Sequence, residues 1–282
     1  MKRQSTLGDL VTELKDQNLK KKDFVLPAHL LSMENGKLVF IDNGDNSSLS
    51  KLLTEVGILS ADGNKITLDC LPVFHSHLSE KLDIPKRYYN RLTSLEDKIL
   101  IDKNVSYWLQ RHGGNVFLRT FIDSEKRNGY ARAMLSDKYN VIDNYDVLFA
   151  TLEAVKQSGV NLKIEDDGCD LSESKMYIRF IDPDVEIQAP EILKNYKNPK
   201  GNNGVGDGII TGFCLTNSEV GQGSFTISPR VVILKCKNGM IFKDDAFGKI
   251  HLGGRMEQYS TINWSEETKR KNYELCHKLR ML

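Results

Sequence analysis

Asn115-Val116-Phe117-Leu118-Arg119-Thr120-Phe121-Ile122, then Asn128-Gly129, then Tyr130-Ala131-Arg132-Ala133-Met134-Leu135 is the stretch that decides the fold class. The first run reads as a strand rich in aromatic and β-branched residues. Asn-Gly is a strong hairpin-turn dipeptide, and the second run returns in the same mode. An antiparallel hairpin is predicted. Its flanks are helical in pattern. Upstream, Ser94 to about His112 has Leu95, Ile99, Tyr107, Trp108 and Leu109 as apolar members and stops at Gly113-Gly114. Downstream, Val141 to Val155 is amphipathic, with Asp143 or Asn144 as N-cap and Gly159 beyond its end.

Working outward toward the N-terminus, Leu7, Leu10, Val11 and Leu14 fall at helical spacing. Asn35-Gly36 turns into a strand, Leu38 to Ile41. Leu49, Leu52, Leu53 and Val56 form a short helix closed by Gly57, and Ile66 to Leu71 is a further strand. From Val73 to Leu92 two helices meet at Pro85, a layout shared by helix-turn-helix starts and by ordinary packing units. His75 and His77, two residues apart on a helix, diverge and make no metal pair.

Toward the C-terminus, Asn161 to Glu165 and Lys175 to Phe180 form a strand pair joined by an acidic loop. Ile209 to Leu215, Ser224 to Ser228 and Val231 to Cys236 are strands, and Asn238-Gly239 turns the last one back. Ser265 caps a terminal helix. The expected fold is α+β: a central antiparallel β-sheet with flanking helices, a helical N-terminal portion and a long C-terminal helix. The expected segments are 1–72, 73–112, 113–262 and 263–282.

Five scattered cysteines without a CxxC pair give neither a disulfide framework nor a zinc site. No apolar run reaches the roughly 20 residues that span a bilayer, and the polar N-terminus lacks a signal-peptide core, so a cytoplasmic protein without membrane contact is expected. Gly204-x-Gly206-x-Gly208 leads into a strand instead of opening a helix, and no GKS or GKT follows, which argues against a phosphate loop. Asn217, Ser218, Glu219, Gly221 and Gly223, with Asn238 and Gly239, read as a structural turn motif. A nucleophilic Ser218 would need a base such as His251, and no nucleophile elbow surrounds it. No catalytic residue, metal ligand or cofactor is assigned.

Ala131-Arg132-Ala133-Met134-Leu135-Ser136-Asp137-Lys138-Tyr139, Ile142-Asp143-Asn144, Thr216 to Ser224 (TNSEVGQGS) and Cys236-Lys237-Asn238-Gly239-Met240 occur in that order. With Ile84 to Tyr89 (IPKRYY) and Asn104 to Leu109 (NVSYWL), the series resembles the phage- and plasmid-borne family labelled domain of unknown function 932, over about Phe74 to Gly254. The resemblance implies a mobile-element setting in a bacterial host cell and carries no catalytic residues.

Net charge is only +1, but from Lys86 to Lys138 eleven basic residues face six acids, whereas nine acids lie between Val160 and Glu191. Within the basic stretch, Lys86, Arg87, Tyr88, Arg91, Arg111, Arg119, Arg132, Lys138 and Tyr139 interleave cations with aromatics, as single-strand binders do. The functional expectation is an accessory protein that binds single-stranded DNA. The alternatives are a non-catalytic module whose acidic stretch docks a host protein, for example in anti-defence, and an uncharacterised hydrolase. A homo-oligomer is a further expectation, with the terminal helix docking either on the body of the protein or on another subunit.

Overall fold

The computed structural model describes residues 2–41, 46–60, 63–188, 208–233, 238–241, 247–249, 251 and 254–261. In chain order come β1 (Lys2–Ser5), α1 (Leu7–Lys20), β2 (Lys21–Pro27), a 3-10 turn (Ala28–Leu30), β3 (Leu31–Glu34), β4 (Lys37–Phe40) and α2 (Ser47–Glu55). Next are β5 (Leu68–Cys70), α3 (Pro72–Lys81), α4 (Lys86–Thr93), α5 (Ile99–Leu109), β6 (Asn115–Asp123), β7 (Asn128–Ser136) and α6 (Asn144–Ser158). The series closes with β8 (Lys163–Leu171), β9 (Met176–Gln188), β10 (Gly208–Asn217), β11 (Phe225–Ile233), β12 (Asn238–Ile241) and β13 (Phe247–Lys249). The expected long C-terminal helix lies outside the described residues.

The α+β class holds, but two sheets stand where one central sheet was expected. Among the described residues, unit I comprises residues 2–14 and Ile142–His251, and unit II comprises Lys15–Val141 and residues 254–261. Each unit has its own apolar core, because each sheet buries one face under its own helices. The division does not follow the segments expected from the sequence. The β6–β7 hairpin joins the N-terminal strands, not the strands after α6.

Unit II is built on a six-stranded sheet in the order β2-β6-β7-β5-β4-β3, with β5 parallel to β7 and every other pair antiparallel. The β3–β4 turn uses Asn35 and Gly36, both at positive φ, as the Asn-Gly signal predicts. The β6–β7 hairpin differs from expectation. Its turn is residues 124–127, with Arg127 at positive φ, and Asn128-Gly129 already pair with Asp123 and Ile122. Gly129 serves close packing: a Cβ there would lie 2.5 Å from Leu68 Cδ2 on neighbouring β5. Within the hairpin, Arg119 pairs with Ala133 and Thr120 with Ala131, so Arg132 is the extra residue of a β-bulge. On the outer edge of β2, Val25 donates to the Ser260 carbonyl and Tyr259 donates back to Val25.

Unit I is an antiparallel seven-stranded sheet, β1-β8-β9-β10-β11-β12, with β13 also paired to β11. Leu10 and Leu14 of α1 and Val147 and Leu148 of α6 pack with Ile178, Phe180, Leu215 and Phe225 in its core. The acidic residues expected in a loop lie within β8, which is bulged between Ile164 and Cys169 with Asp167 at positive φ. The β10 strand approaches β9 so closely that a Cβ on Gly212 would stand 2.0 Å from the Phe180 carbonyl oxygen. Instead of two short strands, β11 is continuous through Pro229, opposite Phe213. Asn238 and Gly239 pair with Ile233 and Val232 inside β12, and the connection 234–237 lies outside the described residues.

Candidate nucleic-acid interface

The α4 helix begins at Lys86, directly after Pro85, whose fixed φ and missing N–H suit a helix start. Its sequence, KRYYNRLT, contains no acid. Tyr89 and Leu92 turn inward, and the Tyr89 hydroxyl is hydrogen-bonded to His75 Nδ1 at 2.8 Å. Burial holds His75 below the usual histidine range, helped by the Lys98 charge. The opposite side carries exposed Lys86, Arg87, Tyr88 and Arg91. Among the described residues none of these three cations makes an ion pair.

The neighbouring α5 packs against both α4 and the edge strand β3. Ile101, Val105 and Leu109, spaced i, i+4 and i+8, form its buried stripe. Two polar side chains fix its position. The Asp102 carboxylate accepts the N–H groups of Asn35 and Gly36 at 2.7 and 2.9 Å, and Ser106 Oγ accepts the Met33 N–H at 2.9 Å. The edge of β3 is thereby capped, and Asp102 is committed to the fold. Leu100, Lys103, Tyr107 and Arg111 form the outward stripe, with Trp108 at its border. Tyr107 and Trp108, two of the helix's apolar members, are 50% and 46% exposed. The Arg111 guanidinium lies 3.6 Å from the Tyr107 ring centroid, and the Tyr107 and Trp108 rings meet edge-on at 5.2 Å.

Three residues of the sequence-predicted set lie inside the protein. Arg119 is fully buried and donates through Nε and Nη2 to Asp23 Oδ2 at 2.8 and 2.6 Å, while the other Asp23 oxygen accepts the Thr120 N–H. Arg132 is buried 3.9 Å above the Phe121 ring, and buried Tyr139 stacks on Phe117. Phosphate contact requires an exposed cation and base stacking an exposed ring, so these three belong to the fold. Of the residues expected to contact nucleic acid, Lys86, Arg87, Tyr88, Arg91 and Arg111 are exposed on or just beyond α4 and α5, and Lys138 is exposed after β7. Lys103, Tyr107 and Trp108 are exposed on α5, the first two on the side away from its 101/105/109 stripe and Trp108 at the border.

In the turn motif of unit I, Asn217, Ser218 and Glu219 are buried as well, whereas Gly221 and Gly223 are exposed. The Glu219 carboxylate accepts the Asn144 N–H at the start of α6 at 2.8 Å, where the Asp143 side chain makes no cap. Asn217 Nδ2 donates to the Ile142 carbonyl and to Asn144 Oδ1, both at 2.9 Å. Gly221 takes positive φ in the turn, and a Cβ on Gly223 would meet the Lys175 side chain at 3.2 Å. Ser218 is fully buried and accepts the Gln222 N–H.

The acidic stretch is partly neutralised within its own sheet. Arg179 reaches Asp170 at 2.7 Å and Glu165 at 3.4 Å, and Arg230 pairs with Glu165. Burial pushes the Cys70 and Cys169 thiols up to about 12 and about 11, and raises Cys214, so all three stay protonated. No group of three or more His, Cys, Asp or Glu side chains placed to hold a metal occurs among the described residues. No helix among them is long and apolar enough to cross a membrane. No protein family, curated protein or solved structure matches this chain.

Proposed function

We propose that this chain is a nucleic-acid-binding accessory protein that engages single-stranded DNA through the α4–α5 face of unit II. The mobile-element setting is the one its family resemblance implies. One observation carries the reading: α4 presents Lys86, Arg87 and Arg91 beside Tyr88, with no acid on the helix and no ion pair among the described residues. From Lys86 to Arg111 six basic residues face three acids. Of those acids, Asp102 is held by backbone amides and Asp97 accepts the Ile99 N–H. A phosphate chain supplies the missing negative charge and releases counterions when it binds.

Retention of a labelled oligodeoxythymidine across a salt series tests this. Binding at low salt should weaken steeply as salt rises. Replacing Lys86, Arg87 and Arg91 together with alanine should lower the slope of log affinity against log salt by about 2, at roughly 0.7 per lost phosphate contact. A wild-type protein that retains no strand at low salt overturns the proposal.

A further inference from the structure

We infer that Trp108 and the Tyr107–Arg111 stack form a base-stacking platform that selects unpaired strands over duplex. The inference rests on the reading of the α4–α5 face as a nucleic-acid interface and assigns the preference for single strands to α5.

Cations alone do not make that choice. Lys86, Arg87, Arg91 and Lys103 meet phosphates equally well on a strand or a duplex, whereas the faces of bases are accessible only when unpaired. The α5 helix offers surfaces for those faces. Tyr107 and Trp108 are each about half exposed on a helix whose buried stripe is complete without them. Their edge-on contact at 5.2 Å and the guanidinium lying 3.6 Å over Tyr107 restrain both rings before any ligand arrives. Arg111 Nη1 also donates to the Tyr107 carbonyl at 3.2 Å, which holds the guanidinium plane in place. Planar guanidinium and indole faces both stack on bases. Less ordering entropy is therefore lost on binding than for free side chains. A protein partner covering Tyr107 and Trp108 would have to place carboxylates on Lys103 and Arg111, whereas a nucleic acid brings a phosphate with every base.

The test compares wild type with Trp108→Ala and Trp108→Phe on a labelled oligodeoxythymidine and on a duplex of equal length. Trp108→Ala should weaken single-strand binding at least about fivefold, the value of one lost base stack, with duplex binding and the salt slope unchanged. Trp108→Phe should recover most of the loss. The chain holds two tryptophans, so a Trp264→Phe background isolates the Trp108 emission, which the oligonucleotide should quench. A parallel titration with oligouridine assigns the strand as DNA or RNA. Equal loss on strand and duplex, no loss on the strand, or unquenched emission of a bound complex overturns the platform and leaves the α4 interface standing. Failure of the wild type to bind either probe at low salt overturns the interface itself.

Discussion

Arg119 on β6 and Arg111 just beyond α5 both sit beside aromatic rings in the same basic stretch, yet the protein uses them in opposite ways. Arg119 is fully buried, and its charge is matched by Asp23 through two hydrogen bonds. Arg111 is exposed, and its guanidinium lies over Tyr107 with a backbone carbonyl as its hydrogen-bond acceptor. A buried cation must bring its counterion into the fold, because desolvating an unpaired charge costs several kcal/mol. An exposed one can leave that partner to be supplied by a ligand. What separates Arg119 from Arg111 is a partner 96 residues away in sequence.

The largest expected effect tests the buried side of this contrast. Asp23→Ala strands the Arg119 charge and leaves the Thr120 N–H without its carboxylate. Unit II should lose about 3–5 kcal/mol, read as a lowered urea midpoint and as lost amide-exchange protection in β2 and β6. Replacing the pair together, Asp23→Leu with Arg119→Met, should recover most of that loss. A small effect for Asp23→Ala alone would place Arg119 among the spare cations.

Local signals in the sequence account for the turns, caps and helix stripes. Asn35-Gly36, Gly57 and Gly159 take the positive φ that their patterns require, and the 101/105/109 spacing marks the buried side of α5. Long-range pairing is the information that was missing. Asn128-Gly129 resembles a turn, but Gly129 is shaped by Leu68, a neighbour across the parallel β5–β7 pair. Glu219 caps the start of α6 from 75 residues away, a contact that no local pattern in its motif announces. The exposed half of the site was legible as composition, in Lys86-Arg87-Tyr88 and Arg91. The buried half, Arg119, Arg132 and Tyr139, carries the same residue types and could be told apart only once its strands were paired.

His77 extends the comparison to a buried base, on which Glu80 and Lys81 of its own helix act with opposite signs. Its Nδ1 accepts the Met134 N–H from β7, and burial pushes it down to about 4 from 6.5. Between those values the unfolded chain binds the proton and the folded one does not. The contribution is therefore fully present above pH 6.5 and is lost as pH falls toward about 4, by up to about 3 kcal/mol. His75 is lowered in the same sense, so the measurement is the difference between wild type and His77→Gln. The variant should show a flatter stability profile over that window. An unchanged slope would mean that the folded protein admits the proton at His77 without penalty.

The smallest expected effect is the most discriminating for the exposed side. Arg87→Ala with Arg91→Ala removes two of the three α4 cations from a surface where neither makes an ion pair among the described residues. Alanine is also the stronger helix former, so the loss of side-chain packing is partly offset. Stability should change by no more than about 0.5 kcal/mol, read from the urea midpoint, while the salt slope of strand binding falls by about 1.4, at roughly 0.7 per contact. A loss above about 1 kcal/mol would mean that α4 spends its charges on the fold, as β6 does, and the division between matched and spare cations would fail at the helix where it matters most.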